Sequence, residues 1–238
     1  PKSNRENLLK INDKLQNRVN VGLSMQSLNT KTLTDIKRKN WTRSEYIDFT
    51  KEIQKRGKTA NSEMIMPLPG ETEETYFQGV KFLMNNNVQP DTFTLMMLCG
   101  AELGKDDAIN KYELKTKFRI LPKAFGQYRG KRIFEIEEIC VGTNTMSFQN
   151  YLNCRNFSFI VKLLSSQVFK PIYKLAQKLE ISWYDISEKI SKILKDKNYK
   201  GKLKDIYDGF CEESYGELFD SQSDAITYYS NPENYKLL

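Results

Sequence analysis

A chain of 238 residues with 39% hydrophobic and 12% aromatic side chains can bury a substantial core, so wholesale disorder is excluded. The formal charge of +7 is spread from Lys2 to Lys236 and interleaved with acids, as in Lys51-Glu52 and Glu188-Lys189, which argues against a dedicated nucleic-acid surface. Histidine is absent, and this excludes Ser/His/Asp and Cys/His nucleophile systems and every histidine-bearing metal site within the chain.

Cys99, Cys140, Cys154 and Cys211 stand far apart, with none of the close spacings of a zinc knuckle or an iron–sulfur loop, and are expected to be buried thiols. No apolar run approaches the ~20 residues of a membrane span, so no span and a cytoplasmic location are expected. Pro1 opens the sequence and a helix-like stretch, Asn7 to Leu15, comes at once, a pattern expected of a piece whose fold begins upstream.

Residues 19–27 alternate apolar with small or polar side chains and run into a polar cluster, which predicts a strand entering a loop. A short helix is expected around Thr32 to Lys39. A second helix opens with Thr42-Arg-Ser-Glu45, a capping box in which hydroxyl and carboxylate satisfy orphan amides reciprocally. Tyr46, Phe49 and Ile53 then recur at helical spacing, and Gly57 stops the helix. Thr59 to Met66 predicts the next strand, ended by Pro67-Leu68-Pro69-Gly70. Glu71 and Thr72 open a helix with Tyr76, Val80 and Leu83 on one face, and Asp91 to Leu98 predicts a third strand.

Strand, helix, strand, helix, strand is the order of right-handed crossovers, so the predicted class is α/β with a parallel sheet or barrel. In such folds ligands gather at the carboxyl ends of the strands, here Gln26-Ser27, the 67–71 loop and the 98–104 loop. Past residue 105 the pattern changes: Arg132 to Val141 reads as a strand, whereas Ser147 to Leu179 and Ser182 to Leu194 read as helices with serine caps. Residues 1–104 and 105–238 are therefore expected to be a parallel β/α unit and a mostly helical extension. The last ~40 residues show weak periodicity and no recognisable chemistry.

Three segments in order resemble the second half of the partial (β/α)6 barrel of radical S-adenosylmethionine enzymes. They are Gly22-Leu-Ser-Met-Gln26-Ser27 with Arg38 beyond it, Glu63-Met-Ile65-Met-Pro67-Leu68-Pro69-Gly70-Glu71-Thr72, and Leu95 to Leu103, matching strands four, five and six. Phe125-Gly-Gln-Tyr128, Glu135-Ile-Glu-Glu138 and Gly142 to Phe148 resemble the region carboxyl-terminal to the barrel in the cobalamin-binding branch. The resemblance implies reductive cleavage of S-adenosylmethionine at a [4Fe-4S] cluster and radical chemistry on an unknown substrate, with cobalamin as a further cofactor. It assigns cofactor contacts to Gln26, Ser27, Arg38, Glu63, Ile65, Pro67, Leu68, Pro69, Gly70 and Glu71. Gln26 would meet the ribose or methionyl group, Arg38 the methionyl carboxylate, Glu63 the ribose hydroxyls and Ile65 the adenine. Pro67 stands where many members carry glycine.

The family's CxxxCxxC loop and cobalamin domain lie upstream of these strands and do not occur here. The chain alone is therefore expected to be inactive and to need a missing N-terminal half, which would hold the cluster and cobalamin ligands. The residues also allow a non-catalytic module that binds RNA or a nucleotide, although neither GxGxxG nor GxxxxGK[ST] occurs.

Overall fold

The computed structural model describes residues 2–16, 18 and 23–238. Helices α1 (Lys2–Lys14), α2 (Thr30–Asp35) and α3 (Arg43–Lys55) precede β1 (Ala60–Met66), α4 (Glu73–Asn85) and β2 (Val88–Thr94). The local signals that start and stop these helices act as expected. Thr42 accepts from the Glu45 amide while the Glu45 carboxylate accepts from the Thr42 amide, and Thr72 and Thr75 form the equivalent pair at α4. Gly57, at φ +72°, lies just past α3, where an L side chain would be strained.

β1 and β2 pair in parallel, in register from Ala60 opposite Val88 to Met66 opposite Thr94. The strand expected from residue 19 falls partly on residues 19–22, which are outside the described residues. Its end is described. Gln26 bridges Met64 in parallel, its amide donating to the Glu63 carbonyl at 2.9 Å and its carbonyl accepting from the Ile65 amide at 2.9 Å. Three parallel segments thus lie side by side in chain order.

Strict alternation decides which face of this layer is covered. Ala60, Ser62, Met64 and Met66 of β1 are buried beneath helices, whereas Asn61 and Glu63 are exposed and Ile65 is half-buried. Tyr46, Phe49 and Ile53 of α3 and Tyr76, Val80 and Leu83 of α4 fill the covered side. Tyr76 is fully buried, and its hydroxyl lies 2.7 Å from Thr92 Oγ1 and 2.8 Å from Ser158 Oγ, so one phenol links α4, β2 and the helix carrying Ser158. Burial pushes that phenol's ionisation up.

Beyond β2 the segment expected to be mostly helical with one strand carries one strand more. After α5 (Asp106–Tyr112) come two long strands, β3 (Lys115–Tyr128) and β4 (Lys131–Gly142), forming an antiparallel hairpin. β4 matches the expected strand; β3 has no counterpart among the expected elements. Its sequence carries Pro122 and Gly126, both poor strand formers. The hairpin accommodates them through a break in register between Ile120 and Phe125, with Lys123 at φ +66°. β4 also joins the parallel layer, because residues 95–97 run between β1 and β4. The Leu95 amide donates to Met66 at 2.9 Å, the Cys140 amide to Leu95 at 2.8 Å and the Met97 amide to Glu138 at 2.9 Å. The described residues therefore form a mixed α/β layer with small sheets and no closed barrel.

The chain continues through α6 (Phe148–Leu164), α7 (Lys170–Lys178), α8 (Trp183–Lys195), α9 (Lys202–Gly216), α10 (Gln222–Ser230) and α11 (Pro232–Tyr235). Ser147 and Ser182 cap α6 and α8 as expected. The final stretch, weakly periodic in sequence, is helical because Tyr207, Ala225 and Tyr229 are buried against the rest of the fold. One hydrophobic cluster runs from Leu9 through Met64 and Ile139 to Tyr207, joining the parallel unit to the later helices. A half-buried ionic network makes a second junction: Arg119 of β3 donates to Glu137 at 2.6 Å and to Glu217 at 3.0 Å, and Arg155 of α6 donates to the same Glu217 oxygen at 2.6 Å.

Candidate functional site

The carboxyl ends of the parallel segments hold two kinds of polar residue, one turned inward and one turned outward. The inward set centres on Glu71, which is 1% exposed at the start of the turn into α4. Its carboxylate accepts from the Ser27 and Thr75 hydroxyls, and its carbonyl accepts from Thr145 Oγ1 at 2.7 Å. Burial raises the carboxyl above its ordinary value, opposed by the hydroxyl donors and by Asn29. Asn29 binds the same turn, donating to the Gly70 carbonyl at 3.1 Å and to Thr75 Oγ1 at 3.3 Å.

The turn itself is packed closed. Pro67, Leu68, Pro69 and Gly70 are all buried, and Leu68 sits among Leu95, Tyr112, Leu114 and Cys140. Gly70 is required: its φ is +78°, and a Cβ there would lie 2.7 Å from Asp35 Oδ2. Of the ten residues that the sequence assigns to a cofactor, Ser27, Pro67, Leu68, Pro69, Gly70 and Glu71 thus lie within a closed, internally bonded loop region. The polar side chains of Ser27 and Glu71 are spent on each other.

Glu63 and Ile65 lie on the face of β1 opposite α3 and α4, where Ile65 packs on the cluster of Leu68, Leu95 and Tyr112. Glu63 is exposed, and among the described residues its carboxylate has no hydrogen bond or ion pair. Asp91, its register partner on β2, is by contrast held by Lys162 of α6 at 2.6 Å and by Asn61 at 3.3 Å. Ile65 faces Phe93 across the pair, and Phe93 is 52% exposed. Gln26 stands beside them at φ +54°. Its neighbours Met25 and Ser27 are both buried, as period-two alternation requires, while Gln26 is half-exposed with no side-chain bond among the described residues. An exposed, unpaired carboxylate and the exposed Phe93 are therefore displayed beside the half-buried Ile65, with Gln26 on the adjoining segment opposite Met64. Such a surface can accept a diol and an adjacent flat apolar ring.

Arg38 points back toward the strand end, as expected of a ligand-directed arginine, but its donors are used within the chain. Nη2 donates to the Ser24 carbonyl at 2.7 Å and Nε to Asn40 Oδ1 at 2.9 Å. Asn40 in turn donates to the carbonyls of Met25 at 2.7 Å and Ser27 at 3.0 Å. The two side chains satisfy the carbonyls on the edge of the Gln26 segment that faces away from β1, so this edge is covered rather than open. Asn29 and Thr75 have local signals as the N-cap of α2 and as half of the Thr72–Thr75 capping box, whereas Asn40 and Thr145 have none because they act on carbonyls distant along the chain.

Between α2 and α5 lies a cleft of about 340 Å³ lined by Asp35, Lys37, Glu102, Lys105, Lys111 and Tyr112. Lys37 pairs with Glu102, and Lys111 lies 4.7 Å from the Tyr112 ring centre, so the charges are largely matched within it. The cysteines need one correction. Cys140 and Cys154 are buried, and burial pushes the Cys140 thiol up to about 11, but Cys211 is half-buried and Cys99 is exposed. The sequence places Cys99 at a buried strand end; the strand stops at Thr94, and Cys99 lies beyond it in the solvent-exposed turn at residues 98–100. Among the described residues no group of Cys, Asp or Glu is arranged to hold a metal ion, and no helix is long and apolar enough to cross a membrane. No protein-family model matches the sequence, and no curated protein matches it.

Proposed function

We propose that this chain is the carboxyl-terminal part of a radical S-adenosylmethionine enzyme, contributing strands four to six of a partial barrel. The observation that carries this reading is the parallel pairing of the Gln26 segment, β1 and β2 in chain order, with Glu63 and Phe93 exposed and Ile65 half-buried beside them. Their face would form part of the barrel interior. Glu63 would accept the ribose hydroxyls, Ile65 and Phe93 would flank the adenine, and Gln26 would bond the ribose or methionyl end. The Glu71 cluster and the Arg38–Asn40 pair would position these residues, since the Glu71 oxygens, the Asn40 amide and Nε and Nη2 of Arg38 bond within the chain.

The residues fit S-adenosylmethionine in one respect that sequence could not establish: the exposed Glu63 carboxylate has no partner among the described residues. They do not fit a four-iron cluster. With Cys140 and Cys154 buried in separate elements, the chain offers no three convergent thiolates among the described residues, so cluster and cobalamin ligands are assigned to a preceding segment. When bound, S-adenosylmethionine supplies the sulfonium whose reductive cleavage yields a 5′-deoxyadenosyl radical. The chain's own residues orient the nucleoside and keep it against an apolar wall.

The test is a titration of S-adenosylmethionine into the protein joined to a CxxxCxxC-bearing segment. Glu63→Ala is expected to weaken binding by about 1.5–3 kcal/mol, or roughly 10- to 150-fold, with unchanged melting temperature. Unchanged affinity would return Glu63 to the status of an exposed strand charge and remove the main support for this reading.

A further inference from the structure

Helix α7, with Leu179 as its C-cap, follows a single 3-10 turn at Gln167–Phe169 and is amphipathic, with its apolar side facing away from the protein. Val168, Ile172, Leu175 and Leu179 recur at helical spacing and are 80%, 53%, 55% and 60% exposed. At 100° per residue Ile172, Leu175 and Leu179 fall within one narrow stripe, and Val168 adds an exposed aliphatic side chain in the turn before it. Lys170, Lys174 and Lys178 form a second row on the same helix, all exposed and with no ion pair among the described residues.

The helix cannot roll to bury the stripe, because its other flank is tied down. Ala176 is buried, Tyr173 packs edge-on against Trp183 at 5.3 Å, and both the Tyr173 hydroxyl and Gln177 Nε2 donate to Asn87 Oδ1, at 3.0 and 2.7 Å. Exposure of the stripe is therefore built into the fold. Four large aliphatic side chains in water are unfavourable, and so many contiguous ones mark a contact surface.

Charge indicates what covers it. α7 carries Lys170, Lys174 and Lys178 and no acidic residue, and none of the three has an ion pair among the described residues, whereas Arg155 and Lys162 of α6 are matched by Glu217 and Asp91. The partner is thus anionic as well as apolar. A protein groove and a lipid surface both meet that description, but protein interfaces favour aromatic residues, methionine and arginine and are depleted in lysine. This face carries only aliphatic side chains and lysines, the composition of a helix that lies in a bilayer interface, where long lysines reach the headgroups. We infer that α7 is a peripheral docking element for an anionic lipid surface, lying along it with Val168, Ile172, Leu175 and Leu179 inserted and the lysine row on the headgroups.

The test is co-sedimentation of the chain with vesicles of phosphatidylcholine, with and without phosphatidylserine. Binding is expected only with phosphatidylserine present and should weaken with salt. Replacing Lys174 and Lys178 by Gln should lower it roughly 30-fold, since each lysine at such a surface contributes about fivefold. Ile172→Ser with Leu175→Ser should lower it by more than about tenfold. Lys123→Gln with Lys131→Gln, on the β3–β4 hairpin, removes the same charge elsewhere and should change binding less than about twofold. All six side chains are exposed, so circular dichroism melts should be unchanged. Equal losses from the hairpin and α7 lysines would reduce the effect to net charge and overturn the inference. So would equal binding to neutral vesicles, or no binding to phosphatidylserine vesicles; the last would assign the face to an acidic protein groove.

Discussion

Glu63 and Glu71 lie on either side of one strand end and have opposite surroundings. Glu63 stands exposed on β1 in water, without a partner among the described residues, while Glu71 is sealed beneath the turn with the Ser27 and Thr75 hydroxyls on its two oxygens. The contrast separates two uses of the same functional group. A desolvated carboxylate is stable only where donors replace its water, and those donors then hold the loop in one shape. An exposed carboxylate contributes little to folding and is free to bind.

The largest expected effect on stability comes from Glu71→Ala, which removes the acceptor from the buried Ser27 hydroxyl and the half-buried Thr75 hydroxyl and opens a small void. Chemical denaturation should show a loss of about 3 kcal/mol. A loss below ~1 kcal/mol would mean that water or rearranged side chains replace the carboxylate, and the contrast with Glu63 would collapse.

Glu71→Gln sharpens the comparison because it keeps the shape and removes the titration; its cost should be about 1–2 kcal/mol. Burial raises the folded carboxyl above its ordinary value of 4.5, so the folded state binds the proton more tightly than the unfolded chain. The stability this group contributes is therefore fully present below 4.5 and declines as pH rises through the window up to the raised value. Urea midpoints measured across that window should fall more steeply for the wild type than for Glu71→Gln. A parallel decline would place the titration elsewhere.

Asn40→Ala tests the covered strand edge. It strips donors from the Met25 and Ser27 carbonyls and should cost about 1 kcal/mol, with faster hydrogen exchange at the Gln26 and Ile65 amides. At the small end, Glu63→Ala should alter stability by less than ~0.5 kcal/mol in the same denaturation assay. A larger change would show that Glu63 has a structural partner and is not a free ligand group.

The features legible in sequence are those made by neighbours along the chain. Thr42 with Glu45 and Ser147 with Asn150 close helix ends through bonds three residues apart, and Tyr46, Phe49 and Ile53 are buried as their spacing requires. The positions of β1 and α4 and the exposed placement of Glu63 come from the same short-range rules. β3 escapes them because its proline lies in a register break that exists only once β4 is paired beside it.

Local pattern by itself determined where most helices and strands of this protein begin, which residues are apolar enough to be covered, and that parallel strand ends would gather polar groups. Tertiary structure alone decided which of those polar groups are available. Gln26, Arg38, Glu63 and Glu71 look equally suited to a ligand by residue type, yet Arg38 and Glu71 are consumed by the Ser24 carbonyl and by Ser27 and Thr75, partners that only the folded chain brings to them. The apolar side of α7 is left in water for a similar reason: Asn87, far back along the chain, holds its other flank. The periodicity of a segment specifies that it has a face, but desolvation and hydrogen bonding across the fold settle what that face meets.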